Sequence, residues 1–239
     1  MASATQLSFN DNAVLGALFD PESSLSNSTQ ISDTIPSQAA IPELQSIQAA
    51  EREALLPLNQ EEPSESDIWK SISQLDTIIH NNPTYASAWN NRAQTRRMLY
   101  DIEQLCQQVQ ELRMVLDDLS HAIDLATPKN PLAPVPAMDA KVLASAHTHR
   151  GYLLYSASRS AKLAKAVISS VPNLHRLDKD GLEEMASREF TLGGRYGNDT
   201  ARQLAVRTNP YAKLCGSIVK EAMQKEVADY NSQTQEVRS

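Results

Sequence analysis

A chain of 239 residues is long enough to bury one sizeable hydrophobic core. Only 5% of it is aromatic and only seven residues are glycine, few for an α/β enzyme that must close many tight turns. The net charge of −7 gathers at the N-terminal end: residues 1–66 carry ten acidic side chains against the single Arg52, which leaves the remainder near neutral and argues against nucleic acid as a partner.

In chain order, Asn10 or Asp11 can N-cap a short helix over residues 11–19, in which Val14, Leu15, Leu18 and Phe19 share a face. A helix this short needs to dock, either onto the rest of the chain or onto a partner. Residues 20–42 are rich in Ser, Thr, Asn, Gln and Pro and read as a disordered or loosely attached linker. Ile41 to Leu56 forms a helix stopped by Pro57, and the acidic stretch Gln60–Ser66 forms a loop. Ile68, Trp69, Ile72, Leu75, Ile78 and Ile79 mark an amphipathic helix that ends before Asn81-Asn82-Pro83. Tyr85, Ala88, Trp89 and Ala93 belong to the next helix. Asp101, with Gln104 three residues on, has the form of a capping box. The seam Ile102, Leu105, Val109, Leu112, Leu116, Leu119, Ile123 predicts one long helix, closed by the proline-rich stretch Pro128–Pro136. Asp139 is the expected N-cap of a helix that runs with few interruptions to Ser170. A further helix over Asp180–Leu192 is stopped by Gly193-Gly194, and a last one starts near Asp199, breaks at Asn209-Pro210 and resumes through Ile218, Val219 and Met223. No segment alternates with the period of a strand.

Helix pairs in series call for a repeat search. In tetratricopeptide repeats the first helix carries a large residue and then a small one four positions later, where the paired helices approach closely; a proline sets the turn to the next repeat. Pro83 to Ala93 fits such a start, with Trp89 as the large residue and Ala93 as the small one. Leu119, Ala122 and Pro128 fit the end of that repeat, and Gly151 repeats the small position in a third. Trp89 and His147 are 58 residues apart, so an insertion separates the equivalent positions.

Three segments resemble the tetratricopeptide repeat protein 36 family: Asn10-Asp-Asn-Ala-Val-Leu-Gly-Ala-Leu-Phe-Asp-Pro21, Ala86-Ser-Ala-Trp89-Asn-Asn-Arg92-Ala-Gln-Thr-Arg-Arg97, and Ala201-Arg-Gln-Leu204 with Asn209-Pro-Tyr-Ala-Lys-Leu-Cys215. They occur in family order and span nearly the whole chain. The acidic loop, the stretch 103–111 and the basic stretch 156–179 look like insertions relative to shorter animal members, as in a fungal-type or lower-eukaryote homologue. The resemblance implies three repeats and a C-terminal helix acting as a non-enzymatic adaptor, with association to 70-kilodalton heat-shock chaperones and to regulation of tyrosine catabolism.

Some chaperone-binding repeat proteins grip a terminal carboxylate with Asn, Lys and Arg side chains. Asn91 stands where such a clamp places its central Asn, but Ser145 and His149 replace the basic pair of the third repeat. Asn91 and Arg92 therefore read more simply as groups that bond backbone or neighbouring acids between repeats. His147 and His149, two residues apart on a helix, point about 200° apart and cannot chelate one ion from one face. Cys106 and Cys215 build no disulfide framework and fit a reducing compartment and core positions. Arg159, Lys162 and Lys165 group on one helix face, with Arg176 and Lys179 beyond, as a solvated face or one that meets the acidic N-terminal third.

The sequence thus predicts an all-α fold, a right-handed superhelix of about three degenerate tetratricopeptide helix pairs with a C-terminal capping helix. Residues 1–38 form a mostly disordered segment around the docking helix 11–19, 39–198 the repeat domain with insertions, 199–230 the capping helix and 231–239 a disordered tail. The expected activity is binding of a protein partner in a concave groove lined by Ser87, Asn90, Asn91, Gln94, Arg97, Ser145 and His149. No catalytic residue, metal or cofactor is expected, nor binding to nucleic acid or membrane; the protein is expected to be a cytoplasmic monomer with nuclear access. Two other readings stand beside it: an enzyme or cofactor carrier with an unfamiliar helical site, and an assembly factor whose groove holds its own N-terminal helix.

Overall fold

The computed structural model describes residues 29–34, 43–130, 133–171, 174, 176–209, 215, 216 and 218–227. The docking helix expected at 11–19 lies outside them. Helix α1 (Leu44–Leu55) runs into a 3-10 turn over Leu56–Asn59, with Pro57 near its start. Helix α2 (Glu65–Asn81) begins at Ser64, whose Oγ accepts from the Asp67 N–H while the Asp67 carboxylate accepts from the Ser64 N–H. This reciprocal cap satisfies two orphan donors and starts the helix inside the stretch expected as an acidic loop. Trp69, expected on the apolar face of α2, is exposed, with its indole N–H on Glu65.

Helix α3 (Ala86–Met98) is followed by the single turn α4 (Ile102–Leu105) and by α5 (Val109–Ala126). The box at Asp101 and Gln104 forms as its spacing predicts. The seam from Ile102 to Ile123 does not make one helix, however, because the chain turns at Cys106–Gln108. Leu105 and Leu112 are both fully buried on either side of that turn. Tertiary packing overrides local propensity here, since Gln107 and Gln108 are themselves good helix formers.

Helix α6 (Ala137–Arg159) starts two residues before Asp139, with Pro136 at the cap; Asp139 lies buried in the first turn and is not the N-cap. Ser160 breaks the helix and caps α7 (Ala161–Ser170), which packs against α6 and α5. Helix α8 (Lys179–Arg195) is capped by Asp178 and leads into α9 (Asp199–Thr208), capped by Asn198. Residues 218–227 are helical too, and Ile218, Val219, Met223 and Val227 on them are exposed.

Gly193 and Gly194 do not stop α8. A Cβ on Gly193 would stand 2.6 Å from Thr148 Oγ1 and 3.0 Å from Ala201 Cβ, and one on Gly194 would meet the Arg202 backbone. The two glycines admit α6 and α9 to close contact with α8, and the helix ends at Arg195, followed past the Tyr196 cap by Gly197, whose φ of +103° only glycine adopts without strain.

The helices pair as α1 with α2, α3 with α5 and α6 with α8, and α9 closes the series against α8. This is the all-α repeat architecture that the sequence predicts. Ala93 and Gly151 occupy the close-approach positions, Ala93 fully buried and Gly151 under the Phe190 ring. Leu75, Leu112, Leu119, Leu143, Leu153 and Leu163 are fully buried, each contributing about 2 kcal/mol from apolar area removed from water.

Guanidinium–carboxylate pairs join first to second helices, among them Arg96 of α3 with Glu111 of α5 at 3.0 Å. Arg92 of α3 donates from Nε and Nη2 to both oxygens of Asp118 on α5, at 2.9 and 2.6 Å, and from Nη1 to Asp76 on α2 at 2.6 Å. Arg150 of α6 donates to Glu189 on α8 at 2.8 Å, and His147 meets the other oxygen at 2.9 Å. Arg92 and Arg150 both stand three residues after the large position of their repeat, Trp89 and His147.

One short pairing ties the N-terminal side to this frame. Strand β1 (Ile31–Ser32) runs parallel to β2 (Val135–Pro136), and the Thr29 hydroxyl bonds Arg195. Residues 29–34 are therefore attached, although they fall in the stretch expected as a loose linker. Two residues are too few for a period-2 pattern, so the sequence carried no signal for this strand.

Replacing Asp118 with Ala leaves the Arg92 guanidinium half-buried without its main partner. Urea denaturation is expected to show a loss of about 3 kcal/mol, and Arg92→Met in the same chain to recover part of it.

Candidate functional site

The first helices α3 and α6 face the α8–α9 turn across a cavity of about 610 Å³. Lys141, Ser145, His149 and Tyr152 line it from α6 at steps of three and four residues, one stripe of the helix. Gln94 reaches in from α3, where its Nε2 donates to Ser145 Oγ at 2.6 Å. Tyr196, Asn198 and Thr200 close the far side, and Ala144, Phe190 and Leu204 supply apolar wall. Tyr152 is 46% exposed, a large aromatic open to a ligand.

Among the described residues the lining contains no acid. Lys141 is its cation, and Arg97 stands behind it against His149. Burial lowers the Arg97 guanidinium, offset in part by Tyr152 and Asp101; its hydrogen bond goes to the Tyr100 carbonyl at 2.5 Å. Burial, and then the Arg97 charge, pull His149 down to about 4. The ring is neutral at pH 7, and its buried Nδ1 has no hydrogen-bond partner.

The seven residues expected in the groove divide into two groups. Gln94, Ser145 and His149 line the cavity, with Arg97 against His149. Ser87, Asn90 and Asn91 stand one to two turns earlier on α3, around Glu51 of α1. Asn91 Nδ2 donates to Glu51 Oε1 at 2.8 Å and Tyr85 Oη donates to Glu51 Oε2 at 2.6 Å, both on a carboxylate that is 7% exposed. Burial and the adjacent Glu51 together raise the Tyr85 phenol, which stays protonated as the donor. Ser87 Oγ lies 3.5 Å from Asn91 Nδ2, and the buried Asn90 donates to Asn91 Oδ1 at 3.3 Å. Asn91 and Arg92 thus bond neighbouring acids. The amide a clamp would offer to an incoming carboxylate is already held by one from this chain.

Lys141, Tyr152 and Tyr196 were not among the expected groove residues. The spacing Lys141, Ser145, His149, Tyr152 carried the signal for two of them; Tyr196 enters through a turn that no periodicity marks. The remaining chemistry is structural. His147 is buried, stacks 6.0 Å from the Tyr196 ring and serves Glu189, on the opposite side of α6 from His149. Burial works to raise the Glu189 carboxyl, but its bonds from His147 and Arg150 outweigh this and hold it below the usual range. Cys106 is half-buried against the core, whereas Cys215 is exposed and not at a core position. Among the described residues no group of three or more His, Cys, Asp or Glu is placed to hold a metal. Among them, too, no helix is long and apolar enough to cross a membrane.

The chain is 42% identical over 248 residues to the L-tyrosine degradation gene cluster protein hmgX of Aspergillus fumigatus, covering 94% of this chain and 95% of the relative. It is also similar to tetratricopeptide repeat protein 36 of Danio rerio, at 29% identity over 94% of the chain and 95% of the relative, and to that of Homo sapiens, at 23% over 90% and 93%. The chain belongs to the tetratricopeptide repeat protein 36 family. No family model matches the sequence, and no solved structure matches. Within the family's repeat frame, α4 and α7 occupy the stretches that the sequence marks as insertions.

The depressed His149 fixes the sign of a pH effect. Between about 4 and 6.5 the unfolded chain takes up a proton at this position that the folded chain refuses, so stability falls as pH drops through that window. Glu189, held low, adds its loss only further down, as pH falls below the ordinary carboxylate range. Urea midpoints of the wild type and His149→Gln at pH 5.0 and 7.5 are expected to differ in slope, with the substitution flattening the decline.

Proposed function

We propose that this protein is a non-enzymatic adaptor that holds a protein partner in the groove between α3, α6 and α9 and acts in tyrosine degradation. The observation that carries the reading is the cavity itself: an apolar wall of Ala144, Phe190 and Leu204, an exposed Tyr152, and the amide and hydroxyl groups of Gln94 and Ser145 on facing first helices. Side-chain amides and hydroxyls suit the backbone of an extended or helical peptide, and an exposed Tyr beside an apolar wall suits an anchor side chain. The name of the Aspergillus fumigatus relative supplies the metabolic context.

Association with a 70-kilodalton heat-shock chaperone rests on the family resemblance alone. If it occurs, gripping of a terminal carboxylate by Asn91 is a poor account of it, because Glu51 already holds that amide. The partner's anchors belong instead in the Tyr152 cavity, within the cytoplasm.

Ser145→Tyr fills the cavity from a half-buried position without touching the Arg92 or Arg150 pairs. In cells lacking the protein and grown on tyrosine, the wild-type chain is expected to restore tyrosine breakdown. The Ser145→Tyr chain, folded by circular dichroism, is expected to fail. Equal restoration by both chains would refute the groove as the working surface.

A further inference from the structure

We propose that the Tyr152 cavity is also the docking site for the chain's own segment Asp11–Asp20, held there as an internal ligand that a partner must displace. This deepens the reading of the groove as a peptide site and rests on it. The first support is where the chain enters. The Val135 N–H donates to the Gln30 carbonyl at 2.7 Å, Ile31 pairs with Val135, and the Thr29 hydroxyl bonds Arg195. Arg195 directly precedes Tyr196, and Lys141 stands five residues after Pro136; both Tyr196 and Lys141 line the cavity. Thr29 is therefore held beside the residue that precedes Tyr196, and residues 1–28 lie outside the described structure.

The second support is reach. Ten residue steps separate Phe19 from Thr29, an extended span of about 30 Å. A cavity adjoining the anchor lies well within that span, and so short a tether confers an effective concentration on the order of millimolar. A weak contact is enough to fill the site under those conditions.

The third support is complementarity. Val14, Leu15, Leu18 and Phe19 fall on one face at helical spacing, and the cavity offers Ala144, Phe190, Leu204 and Tyr152 as wall. Residues 1–28 carry Asp11, Asp20 and Glu22 and no Lys or Arg. The cavity is lined by Lys141 and backed by Arg97, with no acid among its described lining residues. An apolar face flanked by carboxylates is the ligand such a site selects. The basic rim of a second cavity, at Arg159, Lys165 and Lys179, also attracts acid, but it opens at the N-terminal end of α8, away from the anchor at Arg195.

The test keeps the full chain throughout. A fluorescein-labelled peptide of residues 9–21 is titrated, with anisotropy as the readout, against the wild type, against Leu15→Asp/Phe19→Asp, and against that double variant carrying Lys141→Glu/Tyr152→Asp. The double variant, its own segment disabled, is expected to bind the peptide at least about tenfold more tightly than the wild type. The four-substitution chain is expected to lose that binding. Equal affinity for the wild type and the double variant would overturn the proposal, as would no binding to either. So would a wild-type chain whose closed state appears only as a dimer, since the segment would then belong to a second copy. If the peptide fails to bind while Ser145→Tyr still abolishes restoration of tyrosine breakdown, self-docking falls and the groove reading stands.

Discussion

The bidentate contact between Arg92 and Asp118 is the constraint on which the rest of this molecule depends. A guanidinium at this position of a first helix must find an acid on the second, because both groups are largely removed from water. Arg92 also reaches back to Asp76, so the helices α2, α3 and α5 share one charge network. Its guanidinium lies 4.8 Å over the Trp89 ring, and that ring stacks on His121 of α5. The pair thus fixes the tilt of α3, and with it the direction in which Gln94 and Arg97 project.

The third repeat solves the same problem with different side chains. Arg150 and His147 share Glu189, and His147 takes the place that Trp89 holds in the second repeat. With α6 held to α8 on that side, its opposite stripe of Lys141, Ser145, His149 and Tyr152 is left facing α3. The cavity follows from these two anchorages and from the glycines at 193 and 194, which let α6 and α9 both pack closely against the end of α8. The buried charges serve geometry more than stability, since buried pairs gain little over apolar packing.

Much of this is legible in the residues. Trp89, Ala93 and Gly151 announce the repeat through size alone, and Asp101 with Gln104 announces a helix start through a reciprocal bond that needs only local chemistry. The features that escape sequence reading depend on distant neighbours. Gly193-Gly194 has the composition of a helix stop, yet becomes a contact surface because α9 folds back over it. The break at Cys106–Gln108 has no local cause and serves the burial of Leu105 and Leu112 on one core. Asp139 resembles a cap but lies inside α6, because Pro136, already paired in β2, sets the start. At the site, the sequence expected Asn91 in the groove, whereas its engagement by Glu51 required knowing that α1 packs within reach of α3.

The central claim is that contact with other polypeptide occurs at the Tyr152 cavity. A photo-crosslinking phenylalanine analogue placed at Tyr152 in living cells, with the same analogue at the exposed Arg113 of α5 as control, tests this most directly. The account predicts adducts from position 152 to a discrete protein or to the chain's own residues 11–20, and none of comparable yield from position 113. Adducts from 113 with none from 152 would contradict it.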